Sequence, residues 1–280
     1  MSEFADKRQD VESIDNKDSA QFQDFLDNSQ YKLNGILRYE KIFGRGFIST
    51  GGKTTTEKIV GNMNLQKGEK VLSVGCGIGG GEILMVKNYG VTVHAIDLSH
   101  NMLSVGRQRA AENEISNEIT FEHANALIRD FEEGEFDVIY SRDCIIHIRE
   151  KADLFSRFYK WLKPGGRLVI SDYICCPDEQ KSEEFWKYLA DRKYDLRPMN
   201  EYADFLKGAG FDVKATNMSE WFIQILDIEL ARLEEIKEEY LKAHSEKDYR
   251  DIREGWEIKL VRCRDGTQQW AVFECTKPSN

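Results

Sequence analysis

Val71-Leu72-Ser73-Val74 runs directly into Gly75-Cys76-Gly77-Ile78-Gly79-Gly80-Gly81, and a helical pattern follows to Asn88. A strand that ends in glycines and opens a helix lets backbone approach a ligand closely, and it commits the surrounding chain to a β-α unit. Gly75, Gly77 and Gly80 also satisfy G-x-G-x-x-G. Read alone, the turn therefore serves a dinucleotide as well as any other adenosine-containing cofactor.

Asp97 lies 20 residues after Gly77, at the end of a second apolar run from Val91 to Ile96. A carboxylate there can accept hydrogen bonds from both ribose hydroxyls. Its plain structural role is that of a helix N-cap, because Ser99 and a helical stretch from Asn101 to Asn113 follow. Strand-end position and glycine turn together favour the ribose.

The same rhythm continues. Ile119 to Glu122, Phe136 to Tyr140 and Arg167 to Ser171 read as strands, with a helix over Lys151 to Leu162, a helix over Glu201 to Gly208, a strand near Val213 and a last strand over Trp270 to Phe273. Alternation of this kind predicts an α/β fold with a doubly wound, mostly parallel, seven-stranded sheet and helices on both faces. Residues 1–18 are polar and lack periodicity, the pattern of a frayed tail. Apolar and aromatic residues from Phe22 to Phe43 recur at helical spacing, broken near Ser29, and predict an N-terminal helical lid over residues 19–52. The core spans 53–280 and includes a charged helical insertion at about 218–262, whose Trp221, Ile225, Ile228, Leu233 and Ile236 share one face.

A net charge of -10 makes the chain a poor general binder of nucleic acid or of anionic membranes. The six cysteines form no C-x-x-C pair, so neither a zinc ribbon nor a disulfide framework is expected. Scattered histidines give no metal-ligand spacing. No signal peptide or membrane span is legible, and the expectation is a cytoplasmic monomer with reduced thiols.

Tyr140-Ser141-Arg142-Asp143-Cys144-Ile145-Ile146-His147-Ile148 follows a strand end, where open parallel sheets bind ligands. Asp143 and His147 are four apart. On one helical turn they would share a face, the carboxylate would orient the imidazole, and an imidazole near neutral pKa would serve as general base. The plain alternative is a hydrogen-bonded core histidine between two isoleucines.

Leu162-Lys163-Pro164-Gly165-Gly166 and the strand to Asp172 resemble the later motifs of class I methyltransferases, which turns the glycine loop toward S-adenosylmethionine. More specifically, the chain resembles the phosphoethanolamine (phosphobase) N-methyltransferases. The resemblance is carried by Gln30-Tyr31, Tyr39 to Gly44, Phe47 to Gly52, Tyr140 to His147, Ser171-Asp172-Tyr173, Arg192-Lys193-Tyr194, Gly255-Trp256-x-x-Lys259 and Gln269-Trp270. It implies methyl transfer from S-adenosylmethionine to the amine of phosphoethanolamine or its mono- and dimethyl forms, toward phosphocholine. It implies a Tyr31–His147 pair as base. It places Tyr39, Ile48, Ser49, Gly75, Gly77, Asp97, Leu98, Asn125, Ala126 and Arg142 on the cofactor, and Tyr173, Arg192, Tyr194 and Lys259 on the substrate phosphate. Two positions depart from the pattern. Ser73 stands where an acid would meet the cofactor's ammonium, and Asn125 stands where an acid would read the adenine amine. A methyltransferase for another small acceptor, an amine or a sterol, and a non-catalytic cofactor-binding protein are the alternatives.

Overall fold

A computed structural model describes residues 19–279, so the expected tail at 1–18 lies outside the described residues. The chain opens with α1 (Ser19–Phe25), a π-helical turn (Leu26–Gln30) and α2 (Leu33–Phe43), followed by α3 (Gly52–Gly61). The break between the first two helices falls at Tyr31-Lys32 rather than at Ser29, because the π turn prolongs α1 by five residues.

The sheet then begins. β1 (Lys70–Val74), α4 (Gly80–Tyr89), β2 (Thr92–Asp97), α5 (His100–Glu112), β3 (Ile119–His123), β4 (Phe136–Arg142), α6 (Lys151–Trp161) and β5 (Leu162–Cys175) alternate as the sequence predicts. Next come α7 (Glu183–Arg192), α8 (Met199–Gly208) and β6 (Asp212–Asn217). The insertion comprises α9 (Ser219–Glu235), α10 (Lys237–Leu241) and α11 (Glu246–Arg264), and β7 (Gln268–Thr276) closes the sheet.

Strand order is β3-β2-β1-β4-β5-β7-β6. The first five strands are parallel, and β7 runs antiparallel to both β5 and β6. Order reverses at β1, so the carboxyl ends of β1 and β4 flank the switch point where such sheets bind ligands. β5 is longer than its apolar run. Its pairing with β4 jumps from Phe136–Leu162 to Val138–Arg167, and residues 163–166 take up the slack with Gly165 at φ +75°.

Both faces are buried. Val71 packs with Ile59, Val60, Leu84 and Met85 on one side, together with Phe222, Leu226 and Trp256 of the insertion. Leu72 and Val74 pack with Leu154, Phe155, Phe158 and Trp161 of α6 and with Tyr202 and Leu206 of α8 on the other. The two-residue period of β1 thus feeds two cores, as parallel strands require. No helix among the described residues is long and apolar enough to cross a membrane.

Candidate functional site

A cavity of about 680 Å³ opens at the carboxyl ends of β1 and β4, under the N-terminal helices and beside the insertion. Every residue given a catalytic or binding role above lines it.

The glycine turn forms its floor. Gly75 and Gly77 adopt φ of +74° and +55°, in the left-handed region. At Gly75 a Cβ would lie 2.0 Å from Cys144 Sγ, and at Gly80 one would lie 2.1 Å from the Gly46 carbonyl, so the lid loop and the segment after β4 close on bare backbone. Asp97 accepts from the Gly77 N–H at 2.9 Å and the Ser99 N–H at 2.8 Å, and burial raises its pKa. The N-cap of α5 is Ser99, whose side chain accepts from Met102 N–H, so Asp97 is not the cap. Asn125 Oδ1 accepts from Leu127 N–H at 2.9 Å, within a turn that carries Ala126 to the wall. Ser73 Oγ donates to the Glu82 carboxylate. Burial raises Glu82 to about 7 against that hydrogen bond.

Arg142 points from β4 into the lid. Its guanidinium donates to the Thr50 carbonyl at 2.5 Å, the Gly52 carbonyl at 3.3 Å and Thr56 Oγ1. Ile48, Ser49 and Leu98 complete the walls, and Tyr39 packs 6.0 Å from the Trp256 ring. The N-terminal segment is pinned elsewhere by Glu40, which accepts two 2.7 Å bonds from Arg109 in a buried pair. Asp27 accepts from Ser99 Oγ at 2.5 Å and from the His100 and Asn101 N–H groups, and so neutralises the start of α5. Asn101 Nδ2 donates to the backbone carbonyls of Asp27 and Tyr31, both at 3.1 Å, and fixes Tyr31 over the floor.

Tyr31 Oη lies 3.4 Å from His147 Nε2, and the Gln30 amide donates to Tyr31 Oη at 3.1 Å. Tyr194 packs edge-on against the imidazole with centroids 4.9 Å apart. Burial pushes His147 down to about 4, with the Lys193 backbone opposing and the charges of Lys151 and Arg192 adding to the fall. The near-neutral imidazole expected from sequence is therefore corrected, because a buried ring beside cations resists protonation. Burial also raises Tyr31, which stays a hydroxyl.

The expected Asp143–His147 partnership is corrected as well. Asp143 sits at φ +51°, and the 3₁₀ turn that follows covers only Ile145–His147, so the two do not share a helical face. Asp143 Oδ1 accepts from Trp270 Nε1 at 2.9 Å instead. Burial raises its pKa against the nearby Arg142 charge.

On the far side, Lys259 Nζ lies 3.4 Å from Tyr173 Oη and 5.0 Å from the Trp256 ring centroid. Burial lowers the Lys259 pKa while Glu229 opposes. Arg192 ends α7 and is exposed, and Tyr194 follows the left-handed Lys193. Two hydroxyls, an ammonium and a guanidinium thus face one chamber, a donor set suited to a phosphate. Gln30 adjoins Tyr31 in sequence, whereas nothing local in the sequence marks Asn101 or Glu229.

A methyltransferase-domain family model matches residues 71–166. The chain is 47% identical over 267 residues to phosphoethanolamine N-methyltransferase 1 of Arabidopsis thaliana, covering 95% of this chain and 54% of that protein. It is 40% identical over 256 residues to phosphoethanolamine N-methyltransferase of Plasmodium falciparum, covering 90% of this chain and 95% of that protein. The chain thus spans about half the length of the plant relatives it matches and nearly all of the protozoan one. A structure of Haemonchus contortus phosphoethanolamine N-methyltransferase 2, in complex with phosphomonomethylethanolamine and S-adenosylhomocysteine, superposes with a TM-score of 0.88 at 38% identity, over 92% of this chain and 60% of that one.

Proposed function

Because the chain belongs to the phosphoethanolamine N-methyltransferase family, we propose that it methylates phosphoethanolamine or its partly methylated forms with S-adenosylmethionine. The observation that carries this reading is one cavity in which the glycine turn, the Tyr31–His147 contact and the Tyr173–Lys259 contact meet.

The residues fit the cofactor. Asp97 presents a carboxylate for ribose hydroxyls, Asn125 and Ala126 flank an adenine position, and Gly75 and Gly77 leave backbone bare. Ser73 supplies no charge, but its partner Glu82 puts a carboxylate beside the turn. When bound, S-adenosylmethionine supplies an electrophilic methyl group on a sulfonium.

The acceptor amine carries a proton it must lose, since a primary ammonium has a pKa of about 10. In this reading the proton passes to Tyr31 Oη as the hydroxyl's own proton passes to His147 Nε2. The neutral imidazole, held down by burial, has its lone pair available at physiological pH. A phosphate held by Arg192, Tyr194, Tyr173 and Lys259 brings negative charge close to the ring and raises its basicity when substrate is present. The N-terminal segment acts as a lid: Asp27, Glu40 and Arg142 pin it shut, which excludes water and aligns the amine.

The test is a turnover assay with methyl-labelled S-adenosylmethionine and each of phosphoethanolamine, its mono- and dimethyl forms, free ethanolamine and a sterol. Label transfer to one or more phosphobases and to neither control is the expected result. Transfer to free ethanolamine at equal efficiency would remove the phosphate from the reading. Cofactor binding without any transfer would favour a non-catalytic role.

A further inference from the structure

Lys151 opens α6 and is 1% exposed, yet it does not line the cavity. Its ammonium donates to the Ile148 carbonyl at 2.6 Å, the Asp195 carbonyl at 2.8 Å, the Ile145 carbonyl at 3.2 Å and Asp195 Oδ2 at 3.2 Å. Ile145 and Ile148 flank His147. Asp195 follows Tyr194 and lies three residues after Arg192. A second bond joins the same two segments, from Asp195 N–H to the Ile146 carbonyl at 2.7 Å. Arg197 holds the Asp195 carboxylate from the other side, at 2.9 and 3.0 Å.

A buried lysine is costly unless paired, and all three of its protons are engaged here. What it engages is mostly carbonyl oxygen from two loops that have no regular pairing with each other. Removing the ammonium would leave the Ile148 and Asp195 carbonyls without their donor and would weaken the link between the two segments to the Asp195 N–H bond. The first segment carries the imidazole, and the second carries Tyr194 and follows directly on Arg192 at the end of α7.

Resting on the phosphobase reading above, we propose that Lys151 is a positioning residue that sets the distance between the base at His147 and the phosphate donors Arg192 and Tyr194. In that reading the amine lies at Tyr31, against His147, so the placement of the two segments helps set the span from amine to phosphate. The cofactor floor, built on β1 and β2, is outside its reach.

The test compares wild type with Lys151→Met, which keeps the stem and removes the charge, and Asp195→Asn, which keeps the ammonium and its carbonyl bonds. Hydrogen exchange on the protein alone reads the tether whatever the enzyme methylates. Lys151→Met is expected to speed exchange at 144–148 and 193–196 together, with β1 and β2 unchanged. Calorimetry should then show phosphocholine binding weakened at least tenfold, S-adenosylhomocysteine binding within twofold of wild type, and kcat for the phosphobase reduced at least tenfold. Asp195→Asn should show the same pattern at about threefold. Exchange confined to one loop, or equal loss of both ligands, overturns the proposal. If Lys151→Met does not fold, Asp195→Asn decides alone, and unchanged phosphocholine binding there overturns it. Absence of phosphobase turnover in wild type counts against the function and leaves the exchange result to judge the tether.

Discussion

Ser73 Oγ donates a hydrogen bond to the Glu82 carboxylate across the start of the glycine turn. The acid that the family resemblance expects at the end of β1 is missing, and the serine in its place is bonded to a buried carboxyl group from the first turn of α4, behind the cavity wall. Both side chains are at most 2% exposed.

This arrangement makes stability depend on pH. Burial raises Glu82 to about 7 in the folded chain, from an ordinary value of 4.5. The folded state therefore holds this proton more tightly than the unfolded one. Its stabilising contribution is complete below about 4.5 and is lost as pH rises through 7. Glu82→Gln should flatten that part of the profile. Thermal melts of the ligand-free protein at pH 5 and pH 8 check it: wild type is expected to lose more melting temperature between the two than the variant does. Equal losses would remove Glu82 as the source.

His147→Ala is expected to cut turnover about a hundredfold or more, the range of a lost general base, while leaving S-adenosylhomocysteine binding within twofold. The imidazole sits against Tyr31, Gln30 and Tyr194 and touches the cofactor floor only through the shared cavity. Calorimetry beside a turnover assay measures both. The ring itself should titrate near 4 in the ligand-free protein, followed by the proton resonances of His147. A midpoint near 6.5 would mean that the lid stands open in solution.

The glycine turn, the strand ends and Asp97 were legible because glycine placement and apolar period are local signals. The alternation from Val71 onward gave most strand ends to within a residue or two, except at β7, which runs three residues past Phe273, and at β5, where the turn-forming Lys163 to Gly166 hid inside one long strand as a bulge. The Asp143–His147 spacing misled for a physical reason. A four-residue separation means a shared face only in a continuous helix, and Asp143 takes a left-handed conformation that ends any such helix before it starts. Its true partner, Trp270, is 127 residues away. Lys151, Asn101 and Glu229 were silent for the same reason. Each acts by capping backbone carbonyls or amides from a distant segment, and a backbone group has no residue identity for a motif to display.

Trp270→Phe should expose the cost of that distant pairing. The aromatic contact is partly kept by a smaller ring, and Asp143 loses its indole donor in a buried setting. An unsatisfied buried acceptor costs about 1–3 kcal/mol, so denaturant unfolding is expected to show a loss in that range. Trp270→Phe with Asp143→Gly should recover part of it, because the stranded acceptor is gone and glycine accepts the left-handed backbone at that position. A double variant no better than the single one would assign the loss to packing against Phe222 and Trp221 instead.

Glu229 offers the sharpest test of the lid. From α9 its carboxylate accepts the Gly51 N–H at 2.6 Å and Trp256 Nε1 at 2.9 Å, so one side chain joins the insertion helices to the loop that starts α3. That loop is the one Arg142 grips from the other side through Thr50 and Gly52. Glu229 also opposes the fall in the Lys259 pKa. Glu229→Gln keeps the shape and can still accept from one donor, but removes the charge. Two effects should follow together. The loop at 44–52 loses a charge-assisted bond and becomes more susceptible to limited proteolysis. Lys259 loses the carboxylate that most opposes the fall in its pKa, so its pKa falls further and the phosphate meets a weaker cation above neutral pH. KM for the phosphobase is then expected to rise with pH between 7 and 9 more steeply than in wild type. Faster cleavage without the pH effect would leave Glu229 as a hinge pin alone, and the pH effect without faster cleavage would make it a tuning charge alone.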